Sequence, residues 1–214
     1  MFLGHFAVAL AAKRAAPRVS LGALFAAAQW PDLLWPVLLL LGVEQVSVAP
    51  GDTPFTPLRF DSYPISHSLV ATLGWALLGG LIWRLLRKDA RGAVIISGLV
   101  LSHWLLDALT HRPDLQLAPW SEARVGLGLW QSVPLTVAIE LSMFALGAWA
   151  WRRADPPGGA RRVAAWGLLA FLLVIYVMNV FGSPPPGSAA VAWVTLSMWL
   201  LVLWAWAADR RPAG

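Results

Sequence analysis

Cysteine is absent from the 214-residue chain, which removes disulfides, iron–sulfur clusters, thiolate zinc sites and a cysteine nucleophile. Any metal has to be held by imidazole nitrogen and carboxylate oxygen. Charge is scarce as well: Asp, Glu, Lys and Arg make up 13% of the residues, against about 25% in soluble domains. The only lysines, Lys13 and Lys88, fall in loops between apolar runs, which excludes a retinal Schiff base. Residues 163–208 contain no Asp, Glu, His, Lys or Arg. What abounds is apolar surface, with 58% hydrophobic residues and 14 Trp, more than a soluble globule of this size can hide. Disordered chains are poor in such residues, so disorder is excluded too. The reading is an all-α, polytopic membrane helix bundle with six to seven transmembrane helices.

A spanning helix takes ~20 mostly apolar residues. Six stretches qualify: 20–43, 64–86, 93–110, 129–151, 163–182 and 188–208. A seventh, 1–16, reaches roughly 24 Å at helical rise, so it spans barely or tilts in from one face. Prolines punctuate the gaps: Pro50, Pro54, Pro57 and Pro64, then Pro113 and Pro119, then Pro156-Pro157 and Pro184-Pro185-Pro186. Residues 1–151 are expected to form a core with a metal site. Residues 152–214 would form a C-terminal helix pair serving as scaffold, substrate wall or the surface of a homo-oligomer. The Trp residues read as interface belts and helix packing.

The basic residues set the orientation. With seven spans, 13 of the 16 Lys and Arg fall on one side, in the loops holding Lys13, Arg14, Arg18, then Arg84, Arg87, Lys88, Arg91, then Arg152, Arg153, Arg161, Arg162, and finally Arg210 and Arg211. The other side holds Arg59, Arg112 and Arg124. The positive-inside rule puts the N-terminus outside and the C-terminus in the cytoplasm. In a bacterium this is a multi-pass inner-membrane protein whose longer loops, 44–63 and 111–128, face the periplasm. The net charge of +5 then reflects topology and not nucleic-acid binding. The N-terminal stretch lacks the basic leader of a cleavable signal peptide, its first charge being Lys13.

Ionisable groups stand inside the apolar stretches. Each costs at least ~2.5–3.5 kcal/mol in a bilayer and signals function by default. They are His5, Asp32, His67, His103, Asp107 and Glu140, with His111 just past the stretch 93–110. On the loop map all seven fall where they can meet in the outer half of the bundle. His103 and Asp107 are an i, i+4 pair on one helix face, with Cβ atoms ~5–6 Å apart, and His111 continues the stripe. Zinc takes His nitrogen and carboxylate oxygen, with four ligands or three plus a water. Asp32, His67, His103 and Asp107 would supply four. Structural alternatives stand beside each residue. His5 suits an interhelical hydrogen bond, His67 a helix start, and His103 with Asp107 a metal-free pair. Asp32 could cap a helix break, Glu140 could be a buried acid, and His111 and Asp114 could be loop residues.

Gly4-His5, Trp30-Pro31-Asp32, Ser66-His67-Ser68 and His103-x-x-x-Asp107, in that order, resemble the YdjM-like family of bacterial inner-membrane metal-dependent hydrolases. The likeness covers about residues 1–111, and the stretches from His111 to Asp114 and from Val125 to Trp130 resemble one membrane subgroup. In ligand order the family is similar to the zinc-dependent phospholipase C and P1 nuclease superfamily, which is α-helical and acts on phosphoesters with clustered zinc. The resemblance implies one ion on Asp32, His67, His103 and Asp107, and a second shared between Asp107 and His5. It departs where Leu34 replaces a second Asp and where the later His-x-x-x-Glu pair is missing, leaving His111 and Glu140 as loose counterparts.

The expected function is a membrane metal-dependent hydrolase with a divalent ion, most simply Zn²⁺, acting on a phosphoester or lipid-like substrate at the periplasmic side. A bound ion lowers the pKa of its water and polarises a phosphoryl or carbonyl oxygen. Glu140 or His111 would be general base or orienter. Arg59, Arg112 and Arg124 are candidates to hold a phosphate. The partners are membrane lipid and an amphiphilic substrate. Two rivals are an ion, proton or solute transporter built on Asp32, Asp107 and Glu140, and a haem protein with His67 and His103 as axial ligands.

Overall fold

A computed structural model describes residues 1–154 and 158–209. Pro156-Pro157 of the predicted turn and the cations Arg210 and Arg211 lie outside the described residues. The architecture is an all-α bundle with two short hairpins. By length and composition five of its helices can cross a membrane, or six if one bent pair counts as a single span.

Helix α1 (Leu3–Ala12) is shorter than the apolar stretch 1–16, about 15 Å long at helical rise. It is a core helix, with Leu3, Phe6 and Leu10 fully buried. It packs mainly on α7, at a point where Gly147 allows very close approach: a Cβ there would sit 2.4 Å from the Ala7 carbonyl oxygen. Overpacking costs ~1–3 kcal/mol. Gly147→Val is therefore expected to lower stability by that amount and push α1 off α7. Thermal unfolding in detergent checks it.

The expected span 20–43 is two helices, α2 (Leu21–Ala28) and α3 (Trp30–Leu40), bent by 59° at Gln29. Pro31 is the reason. It lacks an N–H, which suits a helix's first turn and not its middle. The bend carries Asp32 at the start of α3, turned off the axis of α2. The loop 44–63 forms an antiparallel hairpin of β1 (Gln45–Val48) and β2 (Leu58–Ser62), with Val46 opposite Phe60.

The expected span 64–86 is also interrupted. A single turn, α4 (Pro64–His67), ends at Ser68, whose extended backbone (ψ 151°) turns the chain into α5 (Leu69–Arg87). The Ser68 hydroxyl accepts the Ala71 N–H at 3.3 Å, a normal N-cap. A tight turn through Lys88 in the left-handed region (φ 52°) leads to α6 (Ala90–Thr110), capped by Asp89, which accepts the Gly92 N–H at 3.0 Å. The loop 111–128 forms a minimal hairpin, β3 (Leu115–Gln116) with β4 (Arg124–Val125). Then come α7 (Val133–Ala154), α8 (Gly159–Phe181), α9 (Ser188–Leu196) and α10 (Met198–Asp209).

The C-terminal helices share the main core: Leu168, Leu172, Leu201 and Ala205 cluster with Leu24 and Phe25 of α2. Helix α9 lies on α3, and α10 on α2 and α8. At one end of the bundle the Lys13 ammonium donates to the Val19 carbonyl and to Asp209, both at 2.8 Å, and Arg161 lies 3.6 Å from the same carboxylate. The end of α1, the start of α8 and the end of α10 therefore meet. The hairpins occupy the opposite end.

Candidate metal centre

Four helical segments deliver ligand-type side chains to one buried point: His5 from α1, Asp32 from α3, His67 from α4, and His103 with Asp107 from α6. His5 Nε2 is 3.1 Å from Asp107 Oδ1, and His103 Nε2 is 3.1 Å from Asp107 Oδ2. His67 Nε2 lies 3.3 Å from Asp32 Oδ1 and 3.8 Å from Asp107 Oδ2, and His103 Nε2 lies 3.8 Å from Asp32 Oδ1. The His5 and His103 rings stack in parallel at 3.8 Å. Two groups of ligand atoms are close enough to share an ion, His5–His103–Asp107 and Asp32–His67–His103. The i, i+4 spacing brings His103 and Asp107 together, the bend at Gln29 brings Asp32, and the break at Ser68 brings His67.

The imidazoles are aimed from behind. His103 Nδ1 donates to the Ala28 carbonyl at 2.8 Å, at the last turn of α2. In the neutral ring that leaves Nε2 unprotonated, and this buried atom makes no hydrogen bond of good geometry although it lies beside Asp107. An orphaned, buried imidazole nitrogen beside two carboxylates fits a divalent cation with nitrogen and oxygen ligands. His67 is aimed by Ser66, its neighbour in the quoted motif, and by Glu44, which carried no signal in the sequence. The Ser66 hydroxyl donates to Glu44 Oε2 at 2.6 Å and accepts from His67 Nδ1 at 2.7 Å. Glu44 Oε1 accepts the N–H groups of Ile65 and Ser66 at 2.7 and 2.9 Å.

The amino group of Met1 donates to Asp107 Oδ1 at 2.7 Å. Glu140 stands one step away. Its Oε2 accepts the N–H groups of Phe2 and Gly4 at 3.0 and 3.2 Å, holding the start of α1, and it belongs to neither ligand group.

His111 belongs to a second polar cluster. Its Nδ1 donates to Asp114 Oδ1 at 3.0 Å, and the Tyr63 hydroxyl donates to the same oxygen at 2.8 Å. Its ring lies against Trp130 and Phe60, at 4.3 and 4.7 Å between centroids. With Nδ1 committed, Nε2 remains for the cavity that His111 lines. Burial and the Asp114 charge push the Tyr63 phenol up, so it stays a donor. Burial works to raise Asp114, but the hydrogen bonds from His111 and Tyr63 and the Arg112 charge outweigh it and hold the carboxyl below its ordinary value. A depressed carboxylate stabilises the fold above its unfolded pKa of ~3.9 and loses that contribution as pH falls through the lower folded value. The loop 111–128 is thus expected to lose amide hydrogen-exchange protection, relative to the intrinsic rate, below about pH 4. Asp114→Asn should remove this acid sensitivity.

Of the three arginines, Arg112 pairs with Asp52 and, at 3.2 Å, with Asp114. Arg59 is exposed and pairs with Asp61 at 2.9 Å. Arg124 is exposed on β4. None of the three lines the cavity that opens from the cluster. That cavity, of about 740 Å³, has Asp32, His67, Asp107 and His111 at its polar end and apolar side chains of α8, α9 and α10 along its walls.

No family model matches this chain, and neither does any curated protein or solved structure.

Proposed function

We propose that the protein is a membrane metal-dependent hydrolase acting on a phosphoester or lipid-like substrate. The observation that carries this reading is the convergence of three imidazole Nε2 atoms and two carboxylates, from separate helices, on one buried point facing a cavity. The cost of burying such groups in a bilayer makes a structural accident a poor explanation. The same residues carry the likeness to the YdjM-like hydrolases, and the reading extends that family's label to this chain. On the cation pattern, the site faces the periplasmic side of a bacterial inner membrane.

The groups Asp32–His67–His103 and His5–His103–Asp107, which share His103, would hold the metal, most simply Zn²⁺. Bound there, it supplies Lewis acidity and a water of lowered pKa. The chain's own residues do the rest. His111 presents Nε2 to the cavity and takes or returns a proton there, while Asp114 fixes the ring's tautomer through Nδ1. One Glu140 oxygen is taken up in holding the start of α1, whereas His111 lines the cavity, so His111 is the better-placed base. The haem alternative has little support, because the His67 and His103 rings lie 5.3 Å apart at 61°, with carboxylates and no flat slot between them.

Elemental analysis of detergent-purified protein beside Asp107→Ala, with hydrolysis of a phospholipid and of a soluble phosphodiester, tests the reading. Bound metal and hydrolysis in the first, both lost in the second, are expected. Metal-free protein that carries ions across liposomes would point to the transporter, and a Soret band to haem.

A further inference from the structure

We infer that the substrate is a membrane lipid with a phosphate at its polar end, and that it reaches the site sideways, between α8 and α9. The identity of the polar end rests on the proposed metal chemistry; the route and the tail seat do not.

The two ends of the cavity differ. Toward the hairpins it is roofed by aromatic rings. Phe55 and Phe60 both lie stacked near Trp130, at 6.2 and 6.0 Å between centroids, and all three line the cavity. A water-soluble phosphoester approaching from that end meets the roof. Along the side there is no such cover. Helix α9 leans on α3 and α8 on α10, so that α8 and α9 have little direct contact. Met178 of α8 and Val194 of α9 line the cavity, yet are 64% and 71% exposed on the outside of the bundle. The opening therefore leads out part-way along α8 and the stretch 188–209 that α9 and α10 form together, each apolar and long enough to cross a membrane, where the surroundings are acyl chains.

The wall chemistry agrees. Ile175, Val191, Met198 and Leu201 continue inward from that opening, on a stretch without Asp, Glu, His, Lys or Arg. The wall carries no charge, and its polar groups, Asn179, Thr195 and Ser197 among them, are scattered between apolar side chains, so it suits an alkyl chain better than a charged substrate. At the far end two carboxylates and two imidazoles meet, and a cation held there makes the place attractive to an anion. An apolar channel that ends at a cation fits a phosphate with a hydrocarbon tail. Glycerophospholipids and polyprenyl phosphates share that chemistry.

Photolabelling tests this. The purified protein is exposed to phosphatidic acid carrying a diazirine in its acyl chain, and labelled peptides are mapped by mass spectrometry. Label is expected on the facing sides of α8, α9 and α10. Val194→Trp and Ile175→Trp, which fill the channel, should each lower it several-fold, whereas Leu77→Trp on the outer face of α5 should not. Competition by unlabelled diacyl phosphatidate or by a polyprenyl phosphate tells the two lipid sources apart, and soluble glycerol phosphate should not compete. Even labelling over outward residues such as Leu77, Leu81 and Leu85, unaffected by either channel variant, overturns the inference. Metal content measured on the same samples keeps the readings separate. Channel label without metal would sink the hydrolase and leave the lipid seat, and metal with even labelling would do the reverse.

Discussion

His103→Ala is expected to empty the centre, with bound metal falling to background, whereas His5→Ala should leave part of it. The asymmetry follows from the geometry. His103 belongs to both groups of ligand atoms, while His5 belongs only to the one completed by Asp107. Without His5, the Asp32–His67–His103 group is intact. Without His103, each group falls to two ligands, too few for a tetrahedral site. The structural cost of His103→Ala is separable, because its Nδ1 also satisfies the Ala28 carbonyl. Leaving that buried acceptor unpaired costs ~1–3 kcal/mol, which thermal unfolding of the metal-free protein reads directly. Elemental analysis of both variants checks the asymmetry. Equal metal in the two would mean that the imidazoles do not share an ion.

The helices were legible because their length and apolar composition are those of membrane-crossing segments. Long apolar runs bounded by Pro, Gly and charge have one stable form in lipid, and five such helices are present. Two breaks were less legible. Pro31 marked a helix break, but its 59° bend depends on how α2 packs on α6 and α10. Nothing in Ser66-His67-Ser68 by itself requires an extended residue at Ser68. Of the site, the His103–Asp107 pair was readable, since i, i+4 spacing is a property of any helix. The arrival of Asp32 and His67 beside it was an inference from depth and from the family likeness, and packing decides it. Glu44 and Tyr63 gave no signal. Glu44 sits just past an apolar run, where a charge is ordinary, and its role exists only because the hairpin folds it back on α4. Glu140 gave a strong signal whose meaning was ambiguous, since a buried acid can serve a metal, a proton or, as its contacts show, a neighbouring helix's N–H groups.

Glu44→Gln is expected to weaken metal binding by about 10–100-fold, the usual effect of losing a partner that orients a ligand. The change is one atom, and its effect travels through a chain of fixed donors. A carboxylate at Glu44 can only accept, so Ser66 spends its single hydroxyl hydrogen on it. Ser66 can then only accept from His67, which puts the ring proton on Nδ1 and leaves Nε2 bare toward Asp32. A glutamine that keeps its carbonyl on the Ile65 and Ser66 N–H groups must turn its amide nitrogen to Ser66. Ser66 then donates to His67 Nδ1, the ring proton moves to Nε2, and the atom meant for the ion is blocked. Nitrogen-15 NMR of the metal-free protein should see this tautomer reverse, while chelator competition measures the lost affinity. Ser66→Ala cuts the chain without disturbing the N–H groups that Glu44 holds, so it should lose affinity with little loss of stability. If Glu44→Gln leaves the tautomer unchanged but lowers the melting temperature, Glu44 is only a cap for α4, and His67 takes its orientation from packing.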